Sequence, residues 1–325
     1  MNAKDAVVKQ QSSHNAILSV LLLDRSSGEN LIWATDNYAS FGVGFQSKDH
    51  ITAEAINGER GCVIKPRVEK TKEEQLERIR QKAEVFTPSW VCNKQNNLID
   101  NAWFEKDFVF NAEEENTWKA TTEPIAFPTA SGKTWQDYVL DTRLEITCGE
   151  APYLVSRYDT VTGEHIAISD RIGLLDRKLR VVGENCPAED EWVKWATAAF
   201  QNTYGFDWQG DNVILARNNL MLTFIEYYTD RFEKEPSDNF LETIAEIVSW
   251  NIWQMDGLKF VIPDSCEDAD DRQFRFFDDE PEKHSCEGCE KNDPLLHAGI
   301  YCRVMDWKTK SPVKFVSLMK NGAQK

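Results

Sequence analysis

The sequence has 325 residues, a formal net charge of −17 and 41% apolar residues, with 11 Trp and 17 Phe among them. That length can bury a sizeable core in one large domain or two modest ones, and the apolar share excludes a disordered chain. The charge excludes a free-standing DNA-binding module, whose affinity would come from neutralising phosphates with Lys and Arg.

Met1 to Ser13 is polar and has no apolar core of the signal-peptide kind. The apolar run from Ala16 to Leu23 is followed at once by charges and reads as a buried strand. Together with the run at 30–36, and with turn residues at Ser27-Gly28 and Asp36-Asn37, it makes residues 1–65 a β-rich extension. No stretch approaches the roughly 20 apolar residues of a membrane helix. The expectation is a soluble, cytoplasmic chain without membrane contact.

Residues 66–82 are charged and favour a helix. It reads as a solvated helix, or as one whose Arg67, Arg78 and Arg80 face phosphates or a partner. Thr87-Pro88 breaks it, and a second helix begins near Ser89 with Thr87 as its cap. Trp103, Phe104, Phe108, Phe110, Trp118 and Trp135 fall in a stretch of little periodicity, an ordered insertion. From Tyr138 the chain reads strand, loop, helix. Residues 188–203 form an amphipathic helix with Trp192, Trp195 and Phe200 inward. Residues 203–232 then read as strand, turn and long helix, and residues 239–263 as a helix followed by a strand. Helices alternating with strands predict an α/β fold with a largely parallel sheet.

In a nucleotide-binding fold of this class, the ligand sits at the carboxyl ends of the first strands. One strand needs a loop of small residues there, the next a carboxylate for ribose hydroxyls, and a third a group that reads the base. The chain offers these in order. Glu145-Ile146-Thr147-Cys148-Gly149-Glu150-Ala151 is the first, Tyr204-Gly205-Phe206-Asp207-Trp208 the second, and residues 251–258, with Asp256-Gly257, the third. Each alone is weak, because a carboxylate near a glycine is most often a turn.

The order of these phrases, with Phe86-Thr87-Pro88 upstream, resembles the amino-adenine DNA methyltransferases of bacterial restriction–modification systems, in the arrangement where Phe-Thr-Pro precedes the glycine-rich loop. The resemblance spans roughly residues 75–260 and implies a Rossmann-like S-adenosylmethionine-dependent methyltransferase core at 66–262. It implies that Phe86, Thr87 and Pro88 flank the cofactor, that Glu145, Thr147, Cys148 and Gly149 hold its methionine moiety, and that Asp207 accepts from its ribose. Asp256 and Gly257 would meet its adenine. Trp208 either stacks on that adenine or belongs to the core. The sequence departs from the family in two places. Ala151-Pro152 stands where a second glycine is usual, and no Asn-Pro-Pro-Tyr phrase follows the third strand. In the family that phrase clamps the flipped-out adenine. The nearest prolines lie in 184–190 and 278–284, without a second proline or an aromatic.

The last segment, residues 263–325, is acidic and holds Cys286-Glu287-Gly288-Cys289, flanked by Cys266 and Cys302. Zinc takes four Cys or His ligands in a tetrahedron. Cys266, Cys286, Cys289 and Cys302 would supply one structural zinc that staples the segment and lets it complete the sheet, with His284 and His297 as alternative ligands. Free thiols on a surface loop are the plain alternative. The reading that follows is an S-adenosylmethionine-binding subunit of a split DNA adenine methyltransferase, inactive alone. A second subunit would carry the Asn-Pro-Pro-Tyr loop, and DNA would be met only through the complex. A catalytically inactive methyltransferase-like structural or regulatory subunit is the first rival, and an unrelated zinc-stabilised interaction protein the second.

Overall fold

The computed structural model describes residues 12–57, 63–72, 78, 87–128, 130, 132–266 and 286–322. Its centre is a parallel sheet of three strands, β3 (Arg143–Ile146), β4 (Thr203–Asp207) and β5 (Ile252–Gln254), ordered as numbered. Two earlier short strands, β1 (Asn111–Glu113) and β2 (Trp118–Ala120), form a separate antiparallel hairpin within the aromatic stretch.

Seven α-helices of six residues or more surround the sheet among the described residues up to Asn251. α1 is Ser12–Leu22, α2 Ser89–Phe104, α3 Trp135–Leu140, α4 Leu174–Asn185, α5 Glu189–Gln201, α6 Gly210–Phe232 and α7 Asp238–Asn251. In α5, Trp192 and Phe200 are buried, and Trp195 is half-buried against the same core. In α7, Ile244, Ala245, Ile247 and Val248 form the inward stripe.

The sheet shows period-two alternation. Glu145, Gly205, Asp207, Ile252 and Gln254 share one face by register, and Leu144, Ile146, Tyr204, Phe206 and Trp253 share the other. Over β4 and β5 that second face is covered by a small cluster with Ile262, Cys302, Val304 and Phe315. The residues come from the strands β6 (Arg303–Asp306) and β7 (Ser311–Lys314), from the helix after them and from the chain before. The hairpin β6–β7 is its own antiparallel sheet. Among the described residues the C-terminal segment therefore caps a face of the parallel sheet and adds no strand to it, where the sequence reading had it complete the sheet.

Three further expectations change. Ala16–Leu23 is not a strand, since α1 runs through Leu22. Its buried residues, Ile17, Leu18, Leu21 and Leu22, follow helical spacing, which an apolar run this short does not reveal. Among its described residues the N-terminal extension is not β-rich either, and its strand pairing is limited to isolated bridges such as Leu23↔Asn30 and Ile32↔His50. Tyr138 and Val139 belong to α3, with the strand following at Arg143, and the next helix waits until Leu174. The helix expected at 66–82 falls mostly outside the described residues, as does Arg80. Arg67–Glu69 is a single 3-10 turn.

The N-terminal segment crosses the carboxyl ends of β4 and β5. Gln254 holds it with its side-chain amide, accepting from Ile32 N at 3.1 Å and donating to Ile32 O at 2.9 Å and Trp208 O at 2.8 Å. At the start of α6, Gly210 lets the chain come very close, and a Cβ there would lie 2.0 Å from Ile32 O. Asp211, next along, is buried and accepts from Tyr38 Oη at 2.8 Å and Arg78 at 2.5 Å. Arg78 is thus an internal ion-pair partner, not a surface contact for phosphate. No helix among the described residues is long and apolar enough to cross a membrane.

The tight crossing yields a paired expectation. Gly210→Ala should destabilise the fold by about 1–3 kcal/mol, because the new methyl must displace backbone. Gly183→Ala, within α4 and open on all sides, should be neutral or stabilise by up to about 1 kcal/mol. Urea unfolding of the two variants reads the difference, and equal midpoints would contradict the crossing.

Candidate functional site

Strand β3 ends in a loop bent by three left-handed residues, Thr147 at φ 47°, Gly149 at φ 54° and Ala151 at φ 64°. Ala151 adopts the turn a glycine would favour, and its amide donates to Cys148 O at 2.7 Å. The loop keeps its bend despite Ala151-Pro152. Cys148 is buried, and its own amide donates to Phe206 O at 2.8 Å, tying the loop to β4. Thr147 is exposed, and its hydroxyl is turned back to Ile146 O at 2.7 Å.

Asp207 ends β4 and organises this loop. Its Oδ2 accepts from Gly149 N at 2.9 Å, while Oδ1 accepts from Gln209 N at 2.9 Å and Asn212 Nδ2 at 3.3 Å. One lone pair on Oδ2 remains. Burial pushes the Asp207 carboxyl up to about 6, against the pull of those donors. Glu145, on the same face, is buried and accepts from Tyr153 N at 3.4 Å. Its Oε2 has no hydrogen-bond partner among the described residues. Burial raises the Glu145 carboxyl well above the usual range, and the nearby Asp207 charge adds to this.

Thr87 and Pro88 come to the same place. Phe86 lies outside the described residues. Thr87 O accepts from Thr160 Oγ1 at 3.0 Å and from Cys92 at 3.6 Å. Pro88 takes the position before α2, and the helix is capped from afar by Asp159, which accepts from Ser89 N at 2.7 Å. Thr87 is therefore not the cap. Tyr153 lies between, within interaction range of Thr87, Cys92 and Glu145. Nothing in the spacing of the sequence announces Tyr153, Asp159 or Thr160 as supports.

Trp208 is half-buried, and its indole N–H is anchored on Ala34 O at 3.0 Å. Asp256 follows one strand over, placed by the Met255 amide on Asp207 O at 2.9 Å. Asp256 Oδ1 accepts from Leu258 N at 2.9 Å and Lys259 N at 3.1 Å, and Oδ2 faces Lys259 Nζ at 3.8 Å. Gly257 touches the Phe206 ring, which would lie 3.0 Å from an added Cβ. Leu258 beside them is 87% exposed.

A second cluster lies in the C-terminal segment. Cys266, Cys286, Cys289 and His297 present ligand atoms all within 4.8 Å of one another. Each sulfur stands 3.6 Å from His297 Nδ1. Zinc–sulfur bonds of about 2.3 Å and zinc–nitrogen bonds of about 2.0 Å place S and N about 3.5 Å apart on a tetrahedral edge. The geometry fits a Cys3His metal site.

Cys286 also accepts from Ala298 N at 3.2 Å. Burial disfavours its thiolate, but the amides of Ala298 and Cys289 and the His297 ring outweigh this and hold the thiol near about 6. Cys266 moves the other way, up to about 12, by burial and by its sulfur neighbours. Gly288 is required by close approach, since a Cβ there would meet His297 N at 2.5 Å.

Cys302 is corrected as a ligand. It is buried in the cluster under the parallel sheet, with its thiol on Gln254 O at 3.3 Å. The alternation of Ile300, Cys302 and Val304 was the sequence signal for an inward strand position. His284, the other alternative, lies outside the described residues, as does the acidic run from Asp268 to Glu280.

No known protein-family model matches the chain, and neither a curated protein nor a solved structure proves similar to it.

The ligand set separates by substitution. Purified protein and Cys302→Ala are each expected to hold close to one metal per chain by elemental analysis. His297→Ala should fall well below one after dialysis against a chelator. Loss of metal in Cys302→Ala with retention in His297→Ala would restore the all-cysteine set.

Proposed function

We propose that the strand-end cluster binds S-adenosylmethionine and that the chain is the cofactor-binding part of a DNA adenine methyltransferase. The observation that carries the reading is the joint between β3 and β4. There the Gly149 amide is clamped on Asp207, a buried carboxylate oxygen of Glu145 lacks a partner among the described residues, and Thr87-Pro88 stands alongside. An unpaired buried carboxylate is costly unless a cation meets it. The ammonium of the methionine moiety is such a cation. The open lone pair of Asp207 Oδ2 would accept from a ribose hydroxyl. Trp208, fixed by Ala34, would give a base a flat wall, and Asp256 would accept from its exocyclic amine. The cofactor would supply the methyl group, and these residues would bind and orient it.

The 325 residues hold no Asn-Pro-Pro-Tyr phrase. In this reading a partner subunit supplies the loop that positions the adenine amine, and positioning is a large share of the rate. β3 is an outer strand of the three-stranded sheet, with Leu144 43% and Ile146 65% exposed. That edge suits pairing with a strand from the part that carries the loop. The Cys3His cluster would hold zinc in a structural role, since all four positions of the tetrahedron are protein ligands.

S-adenosylhomocysteine is expected to bind the purified chain in calorimetry. Asp207→Ala should weaken it by about 1–3 kcal/mol, a loss of about 5- to 150-fold in affinity. The sign with pH follows from the raised Asp207 carboxyl. The ribose contact uses the ionised form, which is present above about 6 and is lost below it. Affinity should hold between pH 7 and 8 and fall on acidification through pH 6. No binding at millimolar ligand, or an affinity untouched by Asp207→Ala, would remove the proposal.

A further inference from the structure

The turn after β5 and the chain before β6 form a narrow antiparallel ladder. Val261 pairs with Tyr301, Ile262 N donates to Ile300 O at 2.9 Å, and Cys302 N donates to Phe260 O at 3.0 Å. One end of the ladder is Asp256. Its amide donates to Val261 O at 2.9 Å, and its carbonyl accepts from Phe260 N at 2.7 Å. The other end is the Cys3His cluster. Cys266 continues the first arm and His297 precedes the second, while Cys286 and Cys289 come from the short helix Glu287–Lys291 and the residue before it.

The arms meet closely at the metal end. Ile300 N donates to Ser265 Oγ at 3.0 Å, and a Cβ on Gly299 would lie 2.5 Å from that oxygen. His297 N donates to Tyr301 Oη at 2.9 Å, so a ligand is tied to the residue that pairs with Val261. Apolar support is thin there. Val261, Cys266 and Cys286, with part of Tyr301, form a cluster separate from the main core, and two of its members are ligands. The first arm is also strained, since Phe260 at φ 61° and Asp264 at φ 60° are left-handed, a conformation unfavourable to a side chain. A segment of this kind takes its order from metal binding, whose free energy is then folding free energy. The hairpin β6–β7 beyond the ladder has anchors of its own. Trp307 Nε1 donates to Asn251 Oδ1 at 2.9 Å, and Tyr204 Oη donates to Met305 O at 3.3 Å.

We propose that the metal is a clasp on the Asp256 turn. It closes the ladder that fixes the turn, while the α/β body and the β6–β7 hairpin keep their fold without it. This part stands on the ladder and the Cys3His geometry. A second part rests on the proposed cofactor site: metal occupancy sets the affinity of the strand ends for an adenosine-type ligand, because the closed ladder places Asp256. Coupling of this kind is reciprocal, and the ligand tightens the metal by the same factor.

The experiment is hydrogen exchange of the zinc-loaded protein before and after removal of zinc with a chelator, read by mass spectrometry of its peptides. Peptides covering 256–262 and 299–302 should lose protection on chelation and regain it when zinc is added back. Those of α4, α6 and β6–β7 should keep theirs, since local opening leaves the rest of a fold closed. His297→Ala should show the chelated pattern with zinc present. Unchanged protection at 256–262 in metal-free protein overturns the clasp. Loss of protection throughout the chain overturns it as well, by making zinc a requirement of the whole fold. In calorimetry, the zinc-loaded protein should bind S-adenosylhomocysteine several-fold more tightly than the metal-free protein. Equal affinities in the two forms overturn the coupling alone. Binding in neither form refutes the cofactor reading and the coupling with it, while the exchange result still decides the clasp.

Discussion

One buried arginine joins the parts on which the strand ends depend. Arg217, in the middle of α6, is fully buried and spends its guanidinium on backbone carbonyls. It donates to Leu21 O at 2.6 Å, Leu23 O at 3.0 Å, Ser249 O at 2.8 Å and Ile252 O at 2.7 Å. The last carbonyls of a helix have no partner of their own. Here those at the ends of α1 and α7 are satisfied together with the first of β5. Burial drags the guanidinium down to about 9, a measure of what desolvation costs, partly offset by the Asp24 charge. Four charge-assisted bonds repay that cost. α1 is thereby fixed to the sheet, and the segment after it is aimed across the ends of β4 and β5, where Gly210 and Gln254 receive it.

The loop after β3 stores the opposite kind of energy. A non-glycine residue in the left-handed region costs roughly 1–2 kcal/mol, and both Thr147 and Ala151 adopt it. Glu145 and Asp207 are desolvated close together, and both carboxyls are raised by burial. A fold optimised for stability alone would relax such a place. Strain and desolvated carboxyls thus gather at adjacent parallel strand ends, an arrangement common at functional sites. This is the physical support for the cofactor proposal, and it does not depend on any resemblance.

The sequence could be read where its signals were local. The stripe of α5 follows from its period, because one face is buried, and the helix-to-strand passage at Asn251 from the change of pattern there, whereas β4 is buried on both faces. Two features were not local. The apolar run of α1 is too short for its period to be recognised, and its buried stripe shows only once it packs against α7 and α6. The ligand set needed three dimensions, since Cys302 and His297 are both near the C-x-x-C in sequence. What separates them is that Cys302 points under the sheet, while the turn after Asn292 brings His297 back over Gly288. Internal ion pairs were invisible for the same reason. Arg177 looks like any surface cation of an amphipathic helix, yet it meets Asp100 at 2.5 Å and the side chains of Asn93 and Asn97 on α2.

Those internal pairs bear on the charge of the whole. Arg78, Arg171, Arg177, Lys178 and Arg217 are buried and consumed by carboxylates or carbonyls within the fold. Buried carboxyls, among them Asp100, Asp176, Asp207 and Asp211, offset these cations, so the net charge of −17 is carried mainly by the surface. A duplex brings one negative charge per about 1.7 Å of axis and is bound by neutralising it. Such a surface repels it. If the strand-end cluster serves DNA methylation, the phosphates must be met by a basic partner, and the acidic surface becomes a means of recruiting that partner. Steering between oppositely charged proteins raises association rates and weakens steeply with salt. On this argument the acidity of the chain and its dependence on a partner have one electrostatic origin.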